Sequence, residues 1–92
     1  MSLAFEWDEQ KAELNYRKHR VSFEEAQTVF RDPNSITILD SNHSIAEERY
    51  IDIGLSEQGR ILVVVYTERQ EKIRIISSRK ATAKEIQVYE QQ

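Results

Sequence analysis

The sequence predicts an α+β fold, an antiparallel sheet with helices packed against it in the order β-α-α-β-β-β-β-α. Three observations lead there. The run Ile61-Leu-Val-Val-Val-Tyr66 lacks polar alternation, as a central strand covered on both faces requires. Segments on either side of it alternate apolar and polar residues with period two, and short turns join them. Two stretches with a hydroxyl residue three positions before a glutamate, Ser22-Phe-Glu-Glu25 and Thr82-Ala-Lys-Glu85, mark helix starts. The 92 residues suffice for one domain, spanning 1–92, with no repeat, low-complexity tract or linker.

Taken in order, Phe5 and Trp7 alternate with Glu6 and Asp8, so Leu3–Trp7 reads as a short strand. Asp8 suits an N-cap, and Glu9 in the first turn complements the dipole of a helix over 9–19. Its inner stripe, Ala12, Asn15, Tyr16 and His19, is less apolar than a pure core face. Ser22 opens a helix over 23–31 that buries Phe23, Ala26 and Phe30. Its hydroxyl accepts from the Glu25 amide, and the Glu25 carboxylate is expected to reach back to the Ser22 amide. Asp32-Pro33-Asn34 stops that helix, because proline lacks the amide to continue it. Ile36 and Ile38 form the next strand, and residues 40–47 a polar loop. Ile51, Ile53 and Leu55 alternate with Asp52 and Gly54. Lys72–Ser78 pairs with Ile61–Tyr66 through Glu68-Arg-Gln-Glu71, turning Ile73 and Ile75 one way and Lys72 and Arg74 the other. The last helix carries Ile86 and Tyr89.

Composition removes several chemistries. With no cysteine there is no disulfide framework, thiolate metal site or cysteine nucleophile. The two histidines stand on separate elements and no carboxylate spacing resembles a ligand set, so no metal is expected. Two glycines cannot build a phosphate-cradling loop, so no nucleotide cofactor is expected either. No apolar run approaches bilayer length and the start lacks a signal-peptide pattern, so a cytoplasmic protein is expected. Net charge is −3, but its distribution is uneven. Residues 23–57 hold eight acids against two bases, and residues 60–84 seven bases against two acids. Such blocks predict an acidic and a basic face, or else charges scattered over a solvated surface.

The chemistry that remains is arginine chemistry. Arg69, Arg74 and Arg79 fall in or beside the last hairpin, and a guanidinium fork matches phosphate bidentately. Several such forks on one sheet face would stabilise the charge that develops on phosphate oxygens during RNA cleavage without a metal. The plain alternative is an ordinary ion pair between Arg74 and a neighbour such as Asp52 or Glu48. His19 is a helix-end histidine or a general acid or base. Glu48 and Arg49 open a strand, where they reach a cleft or pair with each other. Tyr89 has the helical spacing of a core residue.

A resemblance joins these fragments. Phe5-Glu-Trp-Asp8, Lys11-Ala12, Asn15, Lys18-His19 and Val21-Ser-Phe-Glu-Glu-Ala26 resemble the start of BrnT-type toxins. The likeness continues through Asp32-Pro33, His43-Ser44, Glu47-Glu-Arg49, Gly59-Arg60, Leu62-Val-Val-Val-Tyr-Thr67 and Arg69. It ends with Ile73-Arg-Ile-Ile-Ser77, Arg79, Ala81, Glu85 and Tyr89, and so covers nearly the whole chain. The family resembles RelE in fold. The resemblance implies the toxin of a type II toxin–antitoxin pair: a metal-independent ribonuclease that halts translation and growth. It also implies a cognate antitoxin, BrnA-like and of the ribbon-helix-helix type, through which alone operator DNA is contacted. The expected catalytic residues are Arg74, Arg79 and Arg69 for phosphate, with His19 or Glu48 moving protons. Lys11, Lys18, Lys72, Lys80 and Tyr89 are the expected RNA contacts. A non-catalytic module that only docks RNA or an antitoxin is the competing expectation.

Overall fold

The structure, a computed structural model, describes residues 3–43 and 47–92. Part of the polar loop expected at 40–47, with Ser44 of the His43-Ser44 pair, lies outside the described residues. The elements are β1 (Ala4–Glu6), α1 (Glu9–His19), α2 (Phe23–Thr28), β2 (Ile36–Leu39), β3 (Arg49–Leu55), β4 (Ile61–Arg69), β5 (Lys72–Lys80) and α3 (Ala83–Glu90). Short 3₁₀ turns follow α2 at Val29–Arg31 and β2 at Ser41–His43.

The five strands form one sheet in the order β1-β5-β4-β3-β2. The four strands after α2 are antiparallel, as expected. β1 adds a parallel edge beside β5, with Phe5 opposite Ile73 and Glu6 opposite Arg74, so the sheet is mixed. The β4–β5 connection is tighter than the expected four residues. β4 runs on to Arg69, and only Gln70 and Glu71 turn, at φ 49° and 67°. Two consecutive left-handed residues are what a hairpin turn with the sheet's own twist requires.

α1 and α2 cover one face of the sheet. The core there joins Val21, Phe23, Ala26 and Val29 to Leu62, Val64, Tyr66, Ile73 and Ile75. Phe30 meets Phe5 and Tyr66 edge to face. Gly54 lies beneath the 3₁₀ turn, where a Cβ would come within 2.8 Å of Val29 Cγ1, so only glycine lets the turn sit down. Asn15, buried in α1, replaces an apolar contact with a clamp. Its amide donates to the carbonyls of Val21 (2.9 Å) and Ser78 (2.8 Å), and its oxygen accepts from the Ser78 amide.

Asp8 caps α1 through the amides of Gln10 and Lys11. The box at Thr82 and Glu85 closes as expected. The one at Ser22 closes only halfway. Ser22 accepts from the Glu25 amide, but the Glu25 carboxylate turns inward to Arg60 and to the Ser56 hydroxyl. A half-buried guanidinium within reach of the carboxylate outcompetes a backbone amide that solvent can serve.

Asp52 in β3 is 3% exposed and faces the α1–α2 side, accepting from the hydroxyls of Thr37 (2.8 Å) and Tyr66 (2.9 Å). Burial raises its pKa above the ordinary aspartate value, and those two hydrogen bonds only partly oppose the rise. Stability linked to Asp52 is therefore fully present below about pH 4 and lost as pH rises through the higher folded value. Asp52→Asn keeps an acceptor for both hydroxyls without the charge. It should be at least as stable as wild type at pH 7 in thermal unfolding and lose that advantage below about pH 4. A loss of more than about 2 kcal/mol at pH 7 would show that the carboxylate itself is needed.

Candidate functional site

Side chains directly opposite each other in a sheet share a face. Arg49 of β3 lies opposite Thr67 of β4, Thr67 opposite Arg74 of β5, and Arg74 opposite Glu6 of β1. These four residues form one row across four strands, on the face away from α1 and α2. Arg69 and Lys72 form the next rung towards the hairpin tip.

An irregularity that alternation does not anticipate adds Arg79 to this face. Val65 pairs with Ser77 but Tyr66 pairs with Ile75, so Ile76 is an extra residue, a β-bulge. Arg79 stands five positions after Arg74, and strict alternation would set them on opposite faces. With the bulge, Arg79 lies opposite Val63 and shares the face of Arg74.

Charge within this region is largely compensated. Arg74 Nη1 sits 3.4 Å from Glu6 Oε2, a loose contact with both side chains about one-third exposed. Arg69 Nε donates to Glu47 at 2.9 Å. Thr67 is fully buried between the two row arginines, and among the described residues its Oγ1 has no hydrogen-bond partner. The two charge blocks have therefore folded onto each other, since Glu25 and Glu47 of the acidic block pair with Arg60 and Arg69 of the basic one.

The other expected site residues scatter. Arg79 is held in a two-pronged fork by Glu85 (2.8 and 2.9 Å), which ties β5 to the start of α3. Tyr89 donates to Asp32 at 2.6 Å, which pushes its own hydroxyl up to about 12 and pins the other end of α3. Burial pushes Asp32 upward, but the Leu55 amide, Tyr89 and the Asn34 amide together hold it below the ordinary range. His19 ends α1 on the helix-covered side. Asn15, one turn earlier, is bonded to Ser78, which is four residues or about 13 Å along β5 from Arg74. Glu48, exposed ahead of β3, accepts from the Tyr50 hydroxyl at 2.8 Å. Lys11 and Lys18 are exposed on α1, and Lys72 and Lys80 are exposed at opposite ends of β5.

Only Arg74 and Arg69, with Lys72, are thus brought together from the expected set. Glu6 and Thr67 belong to the same group and had no signal in the sequence beyond lying in strands. Among the described residues, no three or more histidines and carboxylates converge as a metal site would need. Nor, among the described residues, is any helix long and apolar enough to cross a membrane.

Comparison with known proteins supplies a context for this face. The sequence profile described as "Ribonuclease toxin, BrnT, of type II toxin-antitoxin system" matches residues 7–85. Among solved structures, the 1.1 Å crystal structure of the Brucella abortus ribonuclease toxin BrnT is similar, with a TM-score of 0.67 at 21% identity. The likeness covers 88% of this chain and 99% of that one, and at such identity it shows the fold. A search of curated protein sequences gives no match.

The Arg79 fork holds the Glu85 carboxyl at about 2, below its ordinary 4.5, with the Thr82 amide helping. A lowered pKa contributes stability that is present above 4.5 and lost as pH falls towards 2. Glu85→Gln should therefore lower the thermal midpoint at pH 6 and flatten its decline between pH 5 and 2. An unchanged slope in that window would mean the fork is not formed in solution.

Proposed function

This chain belongs to the BrnT family of ribonuclease toxins of type II toxin–antitoxin systems, and we propose that it cuts RNA by metal-independent attack of a ribose 2′-hydroxyl on the adjacent phosphate. Membership implies RNA as substrate and a cognate antitoxin as partner. We propose further that the antitoxin is BrnA-like, of the ribbon-helix-helix type, contacting operator DNA on behalf of the pair. The proposed place of action is the cytoplasm, where cleavage stops translation and growth.

The observation that supports the reading best is the row Glu6–Arg74–Thr67–Arg49 on the sheet face away from α1 and α2. In the proposed mechanism the Arg74 guanidinium leaves its loose contact with Glu6 and bonds two phosphate oxygens. Arg69 and Lys72 add positive charge beside it. Glu6, freed, accepts the 2′-hydroxyl proton. The new 2′-O–P bond forms as the P–O5′ bond breaks, and the leaving 5′-oxygen takes a proton from solvent. A 2′,3′-cyclic phosphate remains on one fragment and a 5′-hydroxyl on the other. Charge accumulates on the phosphate oxygens in the transition state, so a fork that engages only there accelerates the step.

Glu48 is a further carboxylate at this end of β3, beside Glu47, and its contact with Tyr50 orients it. Arg79 has a structural role in this reading, because displacing Glu85 from its fork would also open the cap of α3. His19 stands too far along the sheet to serve the same phosphate.

RNA incubated with the protein and EDTA should yield fragments ending in 2′,3′-cyclic phosphate. Arg74→Lys, which keeps the charge but loses the fork, should lower the rate about 10²–10³-fold with folding intact by circular dichroism. Glu6→Gln should also impair cleavage, whereas His19→Ala should cut at close to the wild-type rate. Intact RNA with wild-type protein would favour a non-catalytic docking module. Wild-type cleavage by Arg74→Lys would remove Arg74 from the site.

A further inference from the structure

A second cationic place lies at the other end of the sheet. Arg60, at the head of β4, is seven residues from Thr67, which is about 23 Å along the strand. There the end of α1, the start of α2 and the β3–β4 turn enclose a polar cavity of about 530 Å³, lined by Tyr16, Arg20, Ser22, Glu25, Gln58 and Arg60. That volume falls within the usual range for small-molecule sites.

Arg20 sets this cavity apart. Among the described residues, Arg17, Arg31, Arg60, Arg69, Arg74 and Arg79 each pair with a carboxylate, and Arg20 pairs with none. Its guanidinium instead lies 5.7 Å from the centre of the Tyr16 ring, which is half exposed. Its backbone is also unusual. Arg20 closes α1 at φ 58° and ψ 32°, donating its amide to the Tyr16 carbonyl, a left-handed position that glycine ordinarily fills. An arginine there carries a conformational cost that the cap itself does not require.

Around this pair stand the donors Arg60, Gln58 and Ser22 and one carboxylate, Glu25, which Arg60 neutralises. Arg60 is fixed by Glu25, whose carboxyl it holds below the ordinary range, and it also bonds the Arg20 carbonyl. Lys80 lies near enough to act on Glu25 electrostatically. Gln58 contributes an amide. On its other side the Tyr16 ring borders a cavity lined by Glu9, Glu13 and Glu24, which would repel an anion.

An aromatic ring flanked by an unpaired guanidinium, with an amide within the same cavity, is how single-stranded nucleic acid is held: bases stack and phosphates pair. We propose that this cavity anchors one nucleotide of single-stranded RNA away from the scissile bond, its base stacked at Tyr16 and its phosphate on Arg20. The choice of RNA rests on the ribonuclease reading above; the choice of cavity does not.

The left-handed cap provides a clean test. Arg20→Gly removes the side chain and suits the backbone better, so it should fold with a thermal midpoint at or above wild type. Tyr16→Leu removes the ring at an exposed position and provides the second variant. The probe is a short fluorescent RNA oligonucleotide, 2′-O-methylated throughout so that no 2′-hydroxyl can attack. Each variant should bind it about tenfold more weakly than wild type by anisotropy at low salt. Equal affinity of Arg20→Gly and wild type, or a wild type that binds no oligonucleotide, would overturn the anchor. If Arg20→Gly loses the oligonucleotide while wild type cuts no RNA, the anchor stands and the ribonuclease reading falls. If wild type cuts RNA and Arg20→Gly binds undiminished, the reverse holds. A polyglutamate peptide that binds wild type but not Arg20→Gly, with RNA binding unaffected, would assign the cavity to an acidic protein partner and overturn the RNA assignment.

Discussion

The extra residue at Ile76 in β5 sets the orientation of what is attached to the second half of that strand. Before the bulge, Ile73 and Ile75 point into the core and Arg74 points away from it. After it, the phase is reversed, so Ser78 faces α1 and Arg79 faces α3. Two attachments follow, the Asn15 clamp that seats α1 and the Glu85 fork that seats α3, while Arg74 keeps the phase that the hairpin turn sets. Removing the bulge would turn one half of β5 inside out, with Arg79 in the core and Ser78 in solvent.

The distribution of charge follows a similar economy. Glu25 is almost fully buried, and it is tolerable there because Arg60 and Ser56 satisfy it from the β3–β4 turn. The same guanidinium bonds the carbonyl of Arg20, so one residue joins the end of α1, the start of α2 and the head of β4. Removing either partner of such a pair leaves an uncompensated charge in a dry place, which is why the pair constrains the fold whatever its net contribution to stability. A chain acidic in one half and basic in the other is thereby pulled into one unit.

Much of the fold was legible in the sequence, because its signals are local. Asp8 and Thr82 cap the helices they were expected to cap, Pro33 stands just beyond the second helix, and Ile61–Tyr66 lies inside the sheet. What was not legible depends on residues far apart in the chain. The parallel pairing of β1 with β5 has no local pattern. Glu25 looked like half of a capping box until Arg60, 35 positions later, claimed its carboxylate. The site was legible only in part for the same reason. The arginine-bearing β4–β5 hairpin pointed to Arg74 and Arg69 of the candidate site, but nothing near Arg79 or Tyr89 revealed that Glu85 and Asp32 would occupy them. Arg20 was invisible as a ligand group, because only the folded structure distinguishes an arginine without a carboxylate partner from those that have one.

The parallel edge also has a consequence in time. Glu6 and Arg74 are 68 positions apart, and β1 has no neighbour in the sheet other than β5. During synthesis, α1 and α2 and the β3–β4 hairpin can form as they emerge, but β1 must wait for the first residues of β5, Lys72–Arg74, to be made. The row across four strands is therefore complete only once the chain has been made as far as Arg74. A toxin built this way remains without its proposed phosphate-binding row until β5 has emerged.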